Sequence, residues 1–501
     1  MYGGSAPFAN SHDLATEPIA GALRFRKDAN LTLDEKVEAA QAIGEASEGL
    51  ATHRPEASAK FGLVAHQRAG GYGLAGAFIV FYSFTPMALW ASVLFLAASV
   101  FSALILLRLF AAFQWIYRKT RRTPAEERTK AKPALTPAYT LLVPLYKEAN
   151  VLPDLVAALE RLDYPQDRLD IKLLIESDDR ETMDAARRLD LDPYIEIIPI
   201  PAAGPRTKPK ALNYGLAFAR GEFVAVYDAE DRPDPTQLNA AITAFSRAED
   251  NLAVVQAPLF AHNGEHSWVA RQFALEYAIH FGVWLPALSS LGWPLPLGGT
   301  SNHFRTSALK AIGGWDAYNV TEDADLGMRM AASGYRSAMI EPPTYEEAPI
   351  ALGQWTNQRI RWIKGHLQTW LVLMRQPVKN ARAMGFGRFV GLQLAFSAGL
   401  ASTLLHAPLV GLTLLALLTP LVAFDVWHSA LLLAGYLSAA TCGVLASPIK
   451  QRFFAILTMP IYWVLQSWAA ANALWELKTR PFYWRKTPHG LTPDAAPPTS
   501  T

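Results

Sequence analysis

Two long apolar regions enclose a central region of mixed character. No charged residue occurs between Gly70 and Leu107. Because a bilayer core requires about 20 residues per helix, we expect two transmembrane helices within 66–117. Residues 1–65 lack a sustained apolar period apart from helical spacing over Leu33–Leu50, which predicts a tail with one amphipathic helix. The tail also lacks the pattern of a secretory signal, so we expect it to be retained.

The chain becomes apolar again after Arg388, and the pattern predicts about four transmembrane or interfacial helices within 381–478. The candidate spans are 389–406, 408–424, 429–447 and 453–475. Six spans in total return the C-terminal tail, 479–501, to the side of the central domain. Lys450 and Arg452 then face outward against the charge rule, so 453–475, which contains Pro460, is alternatively bent or partly interfacial.

Between these regions, 118–380 has the alternation of short apolar runs and helical patterns that is typical of an α/β domain. Its clearest predicted strands are 139–144, 171–175 and 222–227. Each strand ends at polar or acidic residues, and ligands of open α/β sheets collect at the carboxyl ends of the strands. This placement makes Glu176, Asp178 and Asp228 candidate site residues.

Composition places the chain among membrane proteins. Hydrophobic residues make up 51% of the 501 positions and charged residues 18%, while the net charge is only +2. No general basic field is present, which argues against a nucleic-acid partner. The single cysteine, Cys442, excludes an intramolecular disulfide and is expected to serve packing. The cation-rich stretch 118–132 beside the first apolar region predicts that the central domain is cytoplasmic.

Acidic residues follow the strand at 222–227 in the run Tyr227-Asp-Ala-Glu-Asp-Arg-Pro-Asp234. Carboxylates at this position can hold a hard divalent cation, Mg²⁺ or Mn²⁺, while the cation neutralises a diphosphate. The alternative is a polar turn that ends at proline. In the same region, Lys208 and Lys210 precede a helical pattern and either face a diphosphate or are solvated loop lysines.

Further polar clusters occur later in the domain. Thr321-Glu-Asp-Ala-Asp325 is either a catalytic cluster or the acidic first turn of a helix. Gln358, Arg361 and Trp362 share one helix face at spacings of three and four, and this face either binds a ligand or lies at a membrane interface. The Gly-rich run 297–303 either lets a ligand approach the backbone or forms a simple turn.

Taken together and in this order, the clusters resemble family-two glycosyltransferases, especially the processive cellulose, chitin and hyaluronan synthases. The resemblance covers about 138–377 and implies a GT-A nucleotide-sugar-binding domain inserted between transmembrane helices. It implies that Asp323 is the catalytic base and that a divalent cation is bound by Asp228 and Glu230. Glu230 departs from the usual Asp, which leaves open whether Glu230 or Asp231 completes the metal site.

The resemblance also implies two groups of substrate-binding residues. For the nucleotide sugar these are Glu176, Asp178, Lys208, Lys210, Asp228, Arg361, Thr487 and His489. For the acceptor these are Gly299, Thr300, Glu322, Gln358 and Trp362. The choice between Glu176 and Asp178 stays open because the usual Asp-Asp-Gly is altered. Thr487 and His489 belong to 482–490, which resembles the mobile gating segment of cellulose synthases but is alternatively an aromatic-basic membrane anchor.

The expected function is therefore the inverting, metal-dependent transfer of sugar from a UDP-sugar, expected to be UDP-glucose, into a β-linked polysaccharide that the protein also translocates. The alternatives are addition of a single sugar to a lipid acceptor and a non-catalytic membrane scaffold or transporter. The expected partners are the donor, the growing glycan, the lipid bilayer and accessory secretion subunits. The expected location is the bacterial inner membrane.

Overall fold

The protein contains a central seven-stranded sheet, described here from a computed structural model that covers residues 33–121, 136–419, 426–447 and 452–485. The strands of this sheet are β1 (Tyr139–Leu145), β2 (Leu169–Glu176), β3 (Ile195–Ile200), β4 (Phe223–Val226), β6 (Leu252–Gln256), β8 (Asn302–Arg305) and β9 (Arg336–Met339). Their order is β3-β2-β1-β4-β8-β6-β9. The three strands predicted from the sequence are confirmed as β1, β2 and β4.

The strands β3, β2, β1 and β4 are parallel to one another, and this explains why they are largely apolar along their length. β1 pairs in parallel with β2 and β4, and β2 pairs in parallel with β3. Such strands are covered on both faces. Leu142 therefore packs in one core, and its neighbours Leu141 and Val143 pack in the other. β8 is antiparallel to both β4 and β6, so it reverses the direction of the sheet beside β4.

A second, three-stranded sheet supports the loop that follows β4. It consists of β5 (Arg232–Pro233), β7 (Leu259–Ala261) and β10 (Thr344–Glu346), with β10 in the middle. Because β5 begins directly after Asp231, its pairing with β10 fixes the acidic run at the end of β4.

Helices cover both faces of the central sheet. They are α4 (Leu152–Glu160), α5 (Arg180–Arg188), α6 (Lys208–Ala217), α7 (Gln237–Arg247), α8 (Trp268–Ile279), α9 (Leu285–Ser290), α10 (Thr306–Ala311), α11 (Glu322–Ala332), α12 (Leu352–Leu373) and α13 (Pro377–Met384). The turn between α8 and α9 is a π-helical segment, His280–Trp284. This mixed α/β layering confirms the fold class expected from the sequence.

Four described helices are long and apolar enough to cross a membrane: Pro86–Thr120, Phe386–Leu418, Val426–Ala446 and Arg452–Thr479. We name the first α3; the second contains α14 (Phe386–Leu392), a π-helical segment and α15 (Ala398–Leu418); the last two are α16 and α17. A further helix, α2 (Ala65–Phe84), precedes α3. Large apolar side chains on these helices face outward, as bilayer contact requires; examples are Phe95, Leu96, Leu417 and Leu418.

The spans predicted at 389–406 and 408–424 differ from the structure, which continues one helix from Phe386 to Leu418. Pro408 does not end this helix, although it removes one backbone hydrogen-bond donor. Proline is tolerated in apolar helices because neighbouring helices and hydroxyl groups satisfy the freed carbonyl groups. The number of membrane crossings stays a prediction.

The α/β domain packs directly on the apolar helices. Ile360 and Ile363 of α12 contact a row of small residues on α17, namely Ala469, Ala470 and Ala473. On α8, Leu275 packs with Ala439, Ala455 and Met459. The predicted packing role of Cys442 is confirmed, since its buried thiol lies among Ala111, Ala112, Val283 and Ala287. Small side chains allow the close approach of these helices.

An N-terminal strap, residues 33–62, holds the back of the α/β domain. It begins with α1 (Leu33–His53), the predicted amphipathic helix, and ends in two short 3₁₀ turns. Asn213 of α6 donates to the carbonyl of Ala46 on α1. Arg375 donates to the backbone carbonyls of Pro55, Glu56, Ser58 and Gly62 at 2.7–3.1 Å.

Candidate active site

A cavity of about 470 Å³ opens where β1, β2 and β4 end. Its wall contains Glu176, Arg206, Lys208 and Asp228, which we call the strand end. It also contains Glu276, Tyr277, His280 and His366, which lie on α8, the following π segment and α12, and which we call the helix end. One continuous cavity therefore joins the sheet edge to helices that pack on the apolar bundle.

The motifs predicted from the sequence meet at Gly299. The Nζ atom of Lys208 donates to the carbonyl of Gly299 at 2.6 Å and forms an ion pair with Asp228. A Cβ atom on Gly299 would lie 3.4 Å from Asp323 Oδ2 and 3.8 Å from Asp228 Oδ2. Glycine thus keeps open the space between the two carboxylates. Burial lowers the pKa of Lys208, but the carboxylates of Asp228 and Glu322 outweigh burial and leave that pKa raised.

Of the two residues left open for the metal site, Glu230 lines the cavity and Asp231 lies beneath it. Asp231 is 1% exposed and accepts hydrogen bonds from the backbone N–H of Asp228 and the hydroxyl of Thr300. Burial, together with Asp228 and Glu230, raises the pKa of Asp231 well above its usual range. This geometry gives Asp231 the task of holding the loop, while Asp228 and Glu230 present carboxylates to the cavity.

Glu176 and Asp178, the two candidates for the same role, have different partners at the strand end. Glu176 lines the cavity and forms a 2.8 Å ion pair with Lys210, which is fully buried. Burial raises the pKa of Glu176 despite this ion pair. Asp178 instead forms an ion pair with Arg206, which lines the cavity. The buried Lys210 joins the start of α6 to the end of β2, so the structure places it behind the cavity wall rather than on its surface.

Glu322 and Asp323 begin α11 and both line the cavity; Glu322 is buried, and Asp323 is partly exposed. Burial and the neighbouring Asp323 raise the pKa of Glu322 to about 8. Burial also raises the pKa of Asp323, although a 2.8 Å hydrogen bond from the Ala324 N–H opposes this shift. The raised pKa of Glu322 keeps this side chain mainly protonated at neutral pH, and Asp323 lies beside it on the cavity wall.

The residues Gln358, Arg361 and Trp362 project from α12 into the same cavity. Arg361 donates to the carbonyl of Val320 at 3.1 Å, just before the acidic pair. The Trp362 ring lies beneath the Arg359 guanidinium, 4.5 Å from it, and stacks on Tyr277 at 6.2 Å. The predicted shared face of this helix is thus turned to the cavity.

An ion pair at the helix end joins the cavity to the apolar helices. Arg359 is 2.6 Å from Glu276, and the same carboxylate accepts a 2.7 Å hydrogen bond from Tyr462 of α17. Trp355 also donates to the Tyr462 hydroxyl, at 2.7 Å. Three helices are consequently fixed relative to one another around Glu276.

The C-terminal segment reaches the cavity through Trp484, whose ring lies 4.6 Å from the Arg361 guanidinium. The residues before Trp484 are held by Lys364 of α12. Its buried ammonium donates to Glu476 and to the carbonyls of Arg480 and Tyr483 at 3.0–3.2 Å. The predicted donor contacts Thr487 and His489 lie outside the described residues.

The carboxylates of Asp228 and Glu230 suit a divalent cation that is also coordinated by a bound ligand. No group of three or more His, Cys, Asp or Glu side chains suited to a metal occurs among the described residues. Asp228 and Glu230 supply two carboxylates, and Mg²⁺ is commonly held by one or two carboxylates together with substrate phosphates and water. A cation at this loop would therefore complete its shell with a diphosphate.

Several cavity residues carried no sequence signal. Arg206, Tyr146 and Glu148 lie in loops without a motif, and Glu276, His280 and His366 are separate residues on helices. Arg359 was hidden inside the run 358–362, where only its neighbours were singled out. A helical-wheel comparison of 276–280 with 359–366 would have been the one available hint, since spacings of three and four put the polar residues of each helix on one face.

Comparison with known proteins finds similarity to glycosyltransferases. Residues 137–365 match the family model described as "Glycosyltransferase like family 2". The chain is 27% identical over 251 residues to "Probable glycosyltransferase YdaM" of Bacillus subtilis, covering 49% of this chain and 59% of that protein. It is 27% identical over 366 residues to a β-monoglucosyldiacylglycerol synthase of Synechocystis, covering 68% and 73%.

The matched region thus spans about three fifths of YdaM. Among solved structures, the mannosyltransferase PcManGT of Pyrobaculum calidifontis, in complex with GDP-Man and Mn²⁺, aligns with a TM-score of 0.47 at 22% identity, covering 76% of this chain and 99% of that one. Residues 137–365, a little under half of the chain, are thus similar to glycosyltransferase family 2. They have a mixed α/β, GT-A-like fold, and four helices that are candidates to span a membrane flank them.

Proposed function

We propose that this protein transfers a glycosyl unit from a nucleoside-diphosphate sugar, with UDP-glucose as the expected donor, to an acceptor hydroxyl at the membrane surface. The reaction inverts the anomeric centre and gives a β-linkage. The observation that carries the proposal is the meeting of Lys208, Asp228 and Asp323 around the space kept open by Gly299. A base and a diphosphate-binding group are thereby placed on either side of one small cavity.

In this mechanism, Asp323 accepts the proton of the acceptor hydroxyl as the new glycosidic bond forms. Its raised pKa makes it a stronger base than an exposed Asp. Lys208 and Arg361 place positive charge beside Asp228, where the departing diphosphate gains negative charge. A divalent cation held by Asp228 and Glu230 would supply Lewis-acid neutralisation of the same diphosphate.

Glu176 and Arg206 form the far wall of the strand end and are assigned to the nucleoside. Thr300 and Gly299 shape the centre of the cavity, and Trp362 with Gln358 forms the wall on the acceptor side. The Trp362 ring is packed on one face by Arg359, so its cavity-lining surface is held in one orientation. A fixed aromatic surface suits the apolar face of a sugar ring.

Two acceptors fit this chemistry. A lipid acceptor that receives one sugar is favoured by the packing of the helix end on α17 and by the name of the Synechocystis relative, a β-monoglucosyldiacylglycerol synthase. A growing β-glycan is favoured by the face formed by Gln358, Arg361 and Trp362, which processive synthases share. The cation-rich residues 118–122 at the end of α3 favour a cytoplasmic domain, with a bacterial inner membrane as the proposed location.

The test is to incubate membranes containing the full chain with each labelled UDP-sugar and with GDP-mannose, with and without chelator, and to size and linkage-map the products. Transfer from one donor, lost on chelation, supports the proposal. A short product in the lipid phase indicates single transfer, and a long chain indicates polymerisation. If no nucleotide sugar is turned over and none is bound, the proposed activity is wrong.

A variant of Trp362 helps to distinguish a growing glycan from a lipid as the acceptor. Trp362→Ala removes the aromatic wall and, in a processive enzyme, shortens the product while donor hydrolysis continues. Product of full length from this variant would argue against processive synthesis.

A further inference from the structure

The helix end contains two histidines that the mechanism above does not use. His280 lies in the π segment after α8, and His366 lies on α12, one turn beyond Trp362. Both line the cavity, and the two imidazoles are near enough to influence each other electrostatically.

Both imidazoles are uncharged and available to a ligand. Burial, with smaller effects of Arg359, lowers the pKa of each to about 4. Within residues 33–121, 136–419, 426–447 and 452–485, neither ring has a hydrogen-bond partner, although each contacts a phenylalanine ring. A neutral imidazole offers one donor and one acceptor, which is the pair of functions that a hydroxyl group can satisfy.

A third group at this end also lacks a protein partner. Gln358 is 8% exposed and lines the cavity, and its buried Oε1 accepts no hydrogen bond from the described residues. Leaving such a buried oxygen unsatisfied is unfavourable. A ligand that donates to this oxygen would recover part of that cost, so Gln358 and the two histidines form a set of uncharged hydrogen-bonding groups.

The charges at the helix end favour neutral ligands over anions. Among the described lining residues of this end, the cation is Arg359, which Glu276 already neutralises at 2.6 Å. Glu346 adds a further carboxylate beside Tyr277. The cations that suit a phosphate, Arg206, Lys208 and Arg361, lie toward the strand end and the centre. Among the described lining residues, an anionic group at the helix end would therefore meet the carboxylate of Glu346 and a cation, Arg359, that is already paired.

We propose that the helix end binds an electrically neutral, hydroxyl-bearing acceptor group, with His280, His366 and Gln358 as hydrogen-bonding specificity residues, and that it rejects acceptors whose reacting group is a phosphate. The inference rests on the proposed glycosyl transfer and names the acceptor class of the same site. Neutral hydroxyls can come from a glycerolipid headgroup or from the end of a glycan, and both satisfy the same three groups.

The first experiment compares acceptors with the purified full chain in phosphatidylcholine vesicles. Three separate reactions contain a diacylglycerol, a β-linked gluco-oligosaccharide or a polyprenyl phosphate as the acceptor. Each reaction contains the nucleotide sugar that the chain turns over in the donor assay, with UDP-glucose as the expected one. We expect one or both neutral acceptors to be glycosylated at least about tenfold faster than the polyprenyl phosphate, because Arg359, the cation among the described lining residues of the helix end, is already paired with Glu276. Equal or preferred use of the phosphate would overturn the inference.

The second experiment tests the residues. His280→Phe and His366→Phe keep an aromatic ring but remove its nitrogens, and each is expected to raise the acceptor KM about three- to tenfold, more than it lowers kcat. His280→Gln and His366→Gln restore a donor and an acceptor and are expected to recover most of the loss. His53→Phe is the matched control, since that histidine is 67% exposed on α1, and it should leave the acceptor KM unchanged.

His366→Lys supplies the cation that the helix end lacks. We expect this variant to lose activity toward the neutral acceptor and to narrow the difference between the neutral acceptor and the polyprenyl phosphate. An unchanged acceptor KM in the Phe and Lys variants would remove the histidines from the site, and if the Phe variants do not fold, His366→Lys decides. Donor binding and donor hydrolysis report on the proposed function separately, since both should persist even where acceptor selectivity is absent.

Discussion

The two ends of the cavity solve different binding problems with different kinds of residues. The strand end concentrates opposite charges, Lys208 against Asp228 and Lys210 against Glu176, on loops that leave the sheet. The helix end is built on α8 and α12 from imidazoles, an amide and one neutralised ion pair. Charged groups suit a diphosphate, whereas neutral hydrogen-bonding groups suit hydroxyls, so the contrast supports the proposed places of the donor and the acceptor.

The sharpest test of this contrast removes the base that lies between the two ends. Asp323→Asn should lower the transfer rate about a hundredfold or more, because general-base catalysis contributes on that order. Donor binding, measured by equilibrium dialysis, should be nearly unaffected. Asp250→Asn, at an exposed position, is the control. A transfer rate within a few-fold of wild type would contradict the role of Asp323.

A smaller effect is expected at the strand end itself. Asp228→Ala should weaken metal-dependent donor binding about tenfold or more, since the diphosphate loses the carboxylate that would help to hold its cation. Isothermal titration with the donor, with and without Mg²⁺ or Mn²⁺, measures this change. The idea of a metal at this loop fails if the variant and the chelator-treated wild type both bind the donor normally.

Trp484→Ala should have a still smaller effect, raising the donor KM about two- to fivefold. The variant removes the ring that lies 4.6 Å from Arg361, and an exposed or partly buried cation–π contact contributes about 0.5–1 kcal/mol. Trp475→Ala, on the preceding helix α17 and 68% exposed, is the control. Identical donor KM values for the two variants would show that the C-terminal segment does not act on the donor.

The smallest effect at neutral pH concerns Glu322, whose pKa is raised to about 8. In the wild type, Glu322 is protonated below that pH and becomes a carboxylate above it, which places a second negative charge beside Asp323. We therefore expect kcat/KM to fall on the alkaline side near pH 8. Glu322→Gln should flatten this limb while keeping most of the activity at pH 7, and an unchanged alkaline limb would contradict the assignment.

The sequence predicted the strand end better than the helix end for a physical reason. Acidic and basic residues that follow apolar strands are conspicuous, so Asp228, Glu230 and Lys208 could be singled out before any fold was known. Which of the adjacent carboxylates faces the cavity depends on backbone geometry, and this is why Glu230 could not be separated from Asp231, or Glu176 from Asp178. The sheet itself was predictable because parallel strands are continuously apolar.

Apart from Gln358, which the sequence singled out, the residues of the helix end could not be predicted, because they come from helices far apart in sequence. His280 and His366 are single histidines whose neighbours are apolar, which is also the setting of an ordinary core histidine. The length of the helix Phe386–Leu418 could not be predicted either, because hydropathy alone does not show whether Pro408 ends a helix or lies within it. Packing between elements decides both questions.

The strap held by Arg375 has a consequence for synthesis of the chain on the ribosome. Arg375 donates to the carbonyl of Pro55 across a separation of 320 residues, and the carboxyl of Asp316 accepts from the Ala59 N–H. At a translation rate of about 5–20 residues per second, residues 33–62 must wait on the order of tens of seconds for these partners to emerge. During that interval the neighbouring helices α2 and α3 have already been made. Residues 33–62 are therefore translated early but reach their final contacts only after most of the chain has been made, so their contact surfaces stay uncovered while the nascent protein is incomplete.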